Sequence, residues 1–494
     1  MIATVLVTLA QGKLRGSVHD GVVSFKGVPY APSPFGERRF APPGAPPSWD
    51  GERDATRYGA TAPKPPYPAP IDTILPEPVI PGEDCLNLNV WTQAPIARGL
   101  PVLVWIHGGA FVNGSGAVSG YDGTAFARDG VVCVTINYRL GVDGFALIDG
   151  TIANRGLLDQ VAALEWVREN IEVFGGDPEH VTVAGESAGA MSVATLIAMP
   201  RAQGLFRRAV LQSGAGNHAI RPETARKVTA ALAERLAVRP AASRLAEVPI
   251  ERLVAEQAAL SMQISTEPLP EKWGEVATNA MPFEPVIDGE VLPALPLEAI
   301  RAGTGRELDV LIGTNTDEWA LFLVPSQLVE LVNDDALGYS LGLLKTDPAT
   351  VRDAYGADLT PGELWMAALT DWFFRVPAIR IAEARAERGA ETYMYEFAWR
   401  SSLFEGRLGA CHALDIPFVF DALDNPGTSW IAGAERPPQQ IADEMHAAWV
   451  AFARDGDPGW SPYLPERRVR RFSLPGETVA DPRPRQRQLW DNIR

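Results

Sequence analysis

The chain has 494 residues, 46% of them hydrophobic, and a formal net charge of −17. That length holds a large buried core, as one big α/β domain or as two to three smaller ones. The acidic balance works against phosphate backbones and anionic membrane surfaces, so nucleic acid is not an expected partner.

The start, "MIATVLVTLAQGK", is apolar but has no basic residues ahead of the apolar run, and its continuation alternates like a strand. No stretch approaches 18 apolar residues, so no membrane span is expected. A soluble, cytoplasmic protein is the expectation. Cys85, Cys133 and Cys411 contain no C-x-x-C pair and imply neither a disulfide framework nor a zinc pattern. Residues 29–81 carry 15 of the 42 prolines. They also carry Tyr30, Phe35, Phe40, Trp49, Tyr58 and Tyr67, and disordered linkers are poor in aromatics. An irregular but packed surface layer is expected there. No internal repeat or low-complexity tail is present.

From residue 101 the pattern changes. "PVLVWIH" (101–107) and "VVCVTIN" (131–137) are short, β-branched apolar runs that read as strands buried on both faces. In "NRGLLDQVAALEWVRENIEVF" (154–174), Leu157, Val161, Leu164, Ile171 and Phe174 fall at helical spacing. "VTVAGE" (181–186) reads as a strand and Ser187–Met199 as a helix. "RAVLQSG" (208–214) and "LDVLIGTN" (308–315) are two further strands. Strands alternating with helices imply a doubly wound, mostly parallel sheet. Stretches 222–300 and 320–400 read as helical insertions upon one domain spanning 1–494. The last clear helix is about 438–454.

"GESAG" (185–189) stands between a strand and a helix, which is the nucleophile-elbow pattern. The glycines remove side chains so that strand and helix can close around a strained serine. The turn lifts Ser187 Oγ to the helix N-terminus, where free N–H groups favour a developing anion. A serine hydroxyl needs a base. The elbow pattern expects Ser, then Asp or Glu, then His in chain order. Of the six histidines only His412 and His446 lie late enough, and His412, in the irregular loop "LGACHALDIPFVF", is favoured over one on a packed helix. Asp317 and Glu318 both remain open as the acid on residue types alone. "WIHGGAFVNGSG" (105–116) ends a strand in a glycine pair. Backbone N–H groups of Gly109 and Ala110, joined by that of Ala188, are the expected donors to an oxyanion. "GSGAVSG" is spaced G-x-G-x-x-x-G with no acidic ribose partner following, so it is not read as a dinucleotide loop.

Taken together, the chain resembles the type-B carboxylesterases, which include the bacterial para-nitrobenzyl esterases and the cholinesterases. "GVVSFKGVPYA", "RFAPP", "EDCLNLNVW", "PVLVWIHGGAF", "NYRLG", "FGGDPEHVTVAGESAGA", "LQSG", "PVIDGE", "GTNTDEW" and "HALDIPFVF" carry the resemblance in one order over nearly the whole chain. It implies the α/β-hydrolase fold, with helical insertions forming a cap around an active-site gorge. It also implies Ser187 as nucleophile, His412 as base, Glu318 as the acid that orients it, and an oxyanion hole from Gly109, Ala110 and Ala188. Glu186, Ser213 and Asp415 match positions that form a polar cluster behind the histidine. No metal or cofactor is implied. Trp319 stands where the family usually has Gly. Leu75 lies near the place of the cholinesterases' choline-binding tryptophan, so a cholinesterase is not expected. No cysteine precedes Cys85 to pair with it. Asn279, Met281 and Phe283 stand where cholinesterases crowd their acyl pocket, which suggests a roomier one here.

The expected activity is hydrolysis of short-chain alkyl or aryl carboxylic esters through an acyl-enzyme. A base of intrinsic pKa about 6.5 would make the rate rise with pH near that value. The rivals are an amidase or carbamate hydrolase on the same three residues, and a non-catalytic binding protein on the same fold. The presence of both serine and histidine argues against the second.

Overall fold

The apolar runs at 101–107, 131–137, 181–186, 208–214 and 308–315 lie side by side in one sheet. The computed structural model describes residues 3–75, 77–425, 429–433 and 436–494. Its strands are β1 (Ala3–Leu9), β2 (Gly12–His19), β3 (Val22–Pro29), β4 (Glu52–Asp54), β5 (Asn87–Gln93), β6 (Leu100–Ile106), β7 (Val132–Ile136), β8 (Gly176–Glu186), β9 (Arg208–Gln212), β10 (Asp309–Asn315), β11 (Tyr393–Phe397), β12 (Arg468–Phe472) and β13 (Glu477–Ala480). The order across the sheet is β1-β2-β3-β5-β7-β6-β8-β9-β10-β11-β12-β13, with β4 beside β2. From β7 to β12 every neighbouring pair is parallel. The margins, β1-β2-β3-β5-β7 and β12-β13, are antiparallel.

Strand β6 shows why the central runs are apolar throughout. Val102, Val104 and Ile106 enter the core on one face, and Leu103 and Trp105 enter the core on the other. Helices α1 (Arg155–Asn170) and α2 (Ala188–Ala198) supply residues to the first face. Helix α3 (Gln439–Asp455) covers the second with Met445, Trp449 and Phe452. With both faces covered, alternation disappears from the parallel strands.

The chain reaches β7 from β6 on one side, then crosses back to lay β8 on the other side of β6. That reversal opens a crevice beyond the carboxyl ends of β6 and β8. The loop 107–116 and the turn at Ser187 leave those two ends.

Stretch 29–81 is irregular, with Tyr30 and Phe40 buried, as the interleaved aromatics suggest. The stretches 222–300 and 320–400 are largely helical. Six strands escaped the sequence reading: β3, β4, β5, β11, β12 and β13. β11 lies inside the second of those stretches, and its polar Glu396 is buried against Arg471. β12, "RVRRF", reads as a polar segment because its arginines pair with Glu444, Glu396 and Glu477. β13, "ETVA", is a short edge strand. No helix among the described residues is long and apolar enough to cross a membrane.

Candidate active site

The turn at 185–189 is as tight as its glycines suggest. Ser187 has φ 57° and ψ −125°, a strained conformation for a residue with a side chain. A Cβ on Gly189 would stand 2.0 Å from the carbonyl oxygen of Ile106, and one on Gly185 would stand 2.5 Å from the carbonyl carbon of Gly189. Strand β8, helix α2 and the end of β6 thus meet with room for hydrogen only. Ser187 N–H donates to Gln212 O at 2.9 Å, which pins the strained residue to the end of β9.

The loop after β6 runs beside this turn. Gly109 has φ +108°, and Ala110 and Phe111 follow at 51° and 62°. The N–H groups of Gly109, Ala110 and Ala188 make no hydrogen bond within the described protein. Gly109 and Ala110 line the cavity that holds Ser187, and Ala188 follows the serine directly. Free N–H groups of this kind can stabilise an oxyanion. His107 is not part of this chemistry. Its Nδ1 lies 2.8 Å from Gly108 O, its ring stacks on Tyr138, and burial pushes its pKa down to about 3.

Of the six histidines, His412 alone lines the cavity that holds Ser187 among the described residues. His446 is tied to Val419 O at 2.7 Å and Asp129 Oδ2 at 3.1 Å. His218 faces Phe373 O, His180 faces Arg454 O, and His19 is exposed beside Asp20. His412 Nδ1 lies 2.6 Å from Glu318 Oε2, and the backbone N–H of Asn315 donates to Glu318 Oε1 at 2.8 Å. Asp317 turns the other way, accepting from Arg400 Nη1 at 2.7 Å and from the Ala410 N–H at 2.9 Å. Of the two adjacent acids, Glu318 is the one in contact with the ring.

His412 Nε2 stands 3.1 Å from Glu186 Oε1, and no hydrogen bond joins the ring to the Ser187 hydroxyl. Burial alone would lower the His412 pKa. The Glu186 and Glu318 carboxylates and the bond to Glu318 outweigh it and raise the ring to about 9. Glu186 is itself pushed up to about 8, by burial first and then by Asp415 and Glu318. The His412 ring thus holds its proton more tightly than a free imidazole.

Asp415 lies one step further back. It accepts from Gln212 Nε2 and Tyr395 OH, each at 3.0 Å, and from Asn315 Nδ2 at 3.3 Å. Burial raises its pKa. Asn315 links it to the Glu318 carboxylate. Ser213 is buried beyond β9, but its hydroxyl has no partner and bonds to neither His412 nor Glu186. Glu186 and Asp415 thus lie in the polar surroundings of the histidine, and Ser213 adds no hydrogen bond there. Gln212, Asn315, Tyr395 and Trp449, whose Nε1 donates to Gln212 at 2.8 Å, complete these surroundings. None was visible in the sequence, because sheet register rather than spacing brings them together.

The cavity has a volume of about 170 Å³ and opens to solvent. Its walls are mainly apolar, with Leu75, Val118, Leu321, Phe322, Ile416 and Ile431 around the polar floor. Asn279, Met281 and Phe283 are absent from the lining: they are buried elsewhere, and Asn279 donates to Glu284 at 2.9 Å. The expectation of a roomier acyl pocket at those positions is corrected. Trp319 instead packs on Phe322, Phe373 and Phe374, and Phe374 in turn lies 4.7 Å from the His412 ring. Phe373 and Phe374 come from a turn of π-helix at Asp371–Arg375. No group of three or more His, Cys, Asp or Glu among the described residues is placed to hold a metal ion.

The carboxylesterase family model matches residues 3–469. The chain belongs to the carboxylesterase family. It is 39% identical over 479 residues to the para-nitrobenzyl esterase of Bacillus subtilis (strain 168), covering 94% of this chain and 93% of that one. It is 36% identical to the phenmedipham hydrolase of Pseudarthrobacter oxydans, over 93% of this chain and 91% of the other. A crystal structure of a carboxylesterase from Geobacillus stearothermophilus superposes with a TM-score of 0.85 at 38% identity, covering 98% of this chain and 99% of that one. The fold is of the α/β-hydrolase type. This carboxylesterase is a serine hydrolase of carboxylic esters, and its substrates are small-molecule esters.

Proposed function

We propose that Ser187 is the nucleophile, His412 the base and Glu318 the orienting acid of a two-step ester hydrolysis. Ser187 Oγ attacks the ester carbonyl while His412 Nε2 takes its proton. The carbonyl oxygen, now an anion, is met by the N–H groups of Gly109, Ala110 and Ala188. His412 returns the proton to the departing alcohol. A water molecule then attacks the acyl-enzyme with the ring again as base. Glu318 keeps the proton of the neutral ring on Nδ1, leaving Nε2 as acceptor, and stabilises the charged ring. In the free protein Nε2 faces Glu186, so the ring exchanges that contact for the serine hydroxyl as substrate enters. Catalytic hydrogen bonds commonly tighten only in the complex.

The observation that carries this reading is the 2.6 Å contact of His412 Nδ1 with Glu318, on a ring that lines one cavity with Ser187. The apolar walls suit alkyl and aryl groups, so short-chain esters of either kind are the proposed substrates. Rapid mixing with para-nitrophenyl acetate tests it. A burst of nitrophenol equal to the enzyme concentration is expected, and its absence in Ser187→Ala and His412→Ala. An undiminished burst in either variant contradicts the assignment.

A further inference from the structure

Residues 61–75 and 77–80 lie on a loop closed at its neck by Thr61 and Ile80, the N–H of each donating to an oxygen of the other at 3.0 and 3.1 Å. Cys85 beyond it is a free thiol, so no disulfide fastens this loop. Inside it, Lys64 and Glu77 form an ion pair whose side chains are only 1% and 9% exposed. Both partners also hold the same residue outside the loop. Lys64 Nζ donates to Gly114 O at 2.9 Å, and the Gly114 N–H donates to Glu77 Oε2 at 3.0 Å. Next to it, Asn113 Nδ2 donates to Pro65 O at 2.6 Å.

Gly114 has a second neighbour on its other side. A Cβ there would stand 2.2 Å from Gly108 O and 2.3 Å from His107 Nδ1. One on Gly109 would stand 2.4 Å from the carbonyl of Asn113. The Asn113 N–H also donates to Gly109 O at 2.8 Å. Gly114 is therefore wedged between the ion pair and residues 107–108, without a side chain to take up slack. The backbone that follows them has φ above zero at three successive residues, Gly109 to Phe111, and does not hold itself in a helix or strand.

We infer that Lys64 and Glu77 are positioning residues for this hydrolase: by clasping both polar groups of Gly114 they hold the Gly109 and Ala110 N–H groups on the oxyanion. The inference rests on the proposed role of those two N–H groups. The pair touches no reacting atom. Its effect is to be felt in the transition state, where donor placement counts, and little in ground-state binding. A displacement of about 1 Å in such a donor costs on the order of 100-fold in rate.

The experiment compares Lys64→Met, Glu77→Gln and the apolar pair Lys64→Met/Glu77→Leu with wild type. Three readouts are taken: kcat and KM on para-nitrophenyl butyrate, inhibition by butaneboronic acid, which forms a tetrahedral adduct, and inhibition by para-nitrophenyl butyl ether, an inert isostere. The expected result is a fall in kcat of about 10- to 100-fold, matched by butaneboronic acid affinity, with KM and ether affinity within about twofold. The single variants strand a buried charge and can unfold. The apolar pair strands none, and thermal melting near that of wild type is expected of it together with the same loss of kcat. Wild-type kcat in the folded apolar pair overturns the inference, as does a parallel loss of butaneboronic acid and ether affinity. Ser187→Ala is run alongside. If it keeps full activity, it is the proposed chemistry that fails, and the clasp fails with it for a separately visible reason.

Discussion

The two sides of Ser187 are built from opposite materials. On one side stand a histidine and the carboxyl groups of Glu318, Glu186 and Asp415, all buried. On the other stands a loop proposed to meet the substrate with backbone N–H groups, with no charged side chain of its own between residues 107 and 116. The first side favours a positive ring and the second a negative oxygen. Ester hydrolysis creates both at once, so each side stabilises a charge the other cannot. The contrast extends to how each is held. The acid side is fastened by side-chain bonds reaching across the sheet, from Asp415 to Gln212, Tyr395 and Asn315. The amide side depends on steric wedging and on the Lys64–Glu77 couple.

Removing the centre between the two sides has the largest expected effect. Ser187→Ala should lower kcat on para-nitrophenyl acetate by on the order of 10⁶, if serine, ring and acid act as a unit. Glu318→Gln attacks the acid side alone. It frees the ring to hold its proton on the wrong nitrogen, and a loss in kcat on the order of 10⁴ is expected from steady-state rates at saturating ester. Gly109→Ala attacks the amide side alone. Its methyl group would stand 2.4 Å from the Asn113 carbonyl, so the loop must shift and carry its donors off the oxygen. The expected loss is about 10²–10³ in kcat, with little change in KM.

The smallest effect concerns pH. With the neutral ring as the proposed base, kcat/KM is expected to rise with pH as His412 loses its proton. Glu186 and Glu318 stabilise the charged ring and raise its pKa to about 9, so the rising limb lies above the intrinsic value. In Glu186→Gln one of those charges is gone, the ring gives up its proton sooner, and the limb moves to lower pH. A profile with the same midpoint in both proteins would separate Glu186 from the ring's titration.

How much of this was legible in the sequence follows from the range of the interactions. The central strands could be read because burial on both faces leaves uninterrupted apolar runs. The turn at Ser187 could be read because its glycines answer to contacts of 2.0 to 2.5 Å within one strand–turn–helix unit and the neighbouring strand. Strand β12 could not, because its arginines look solvated until their acids arrive from other segments. Asp317 and Glu318 are chemically alike, and only the backbone direction after β10 sends one to Arg400 and the other to His412. The couple of Lys64 and Glu77 lies in a proline-rich stretch without period, so no pattern marks it. The acyl-pocket reading at Asn279, Met281 and Phe283 went astray because those residues pack away from the cavity, while Phe322 and Phe374 pack on the histidine ring with Trp319 behind them.

The convergence of hydroxyl, imidazole and amide donors is tested most directly by covalent capture. The protein is treated with a fluorophosphonate, digested, and its modified peptide sequenced by mass spectrometry. One adduct per chain on Ser187 is expected, forming at the rate at which ester hydrolysis disappears and slowing sharply in His412→Ala. An adduct on another residue, or full hydrolysis surviving complete modification of Ser187, would contradict the account.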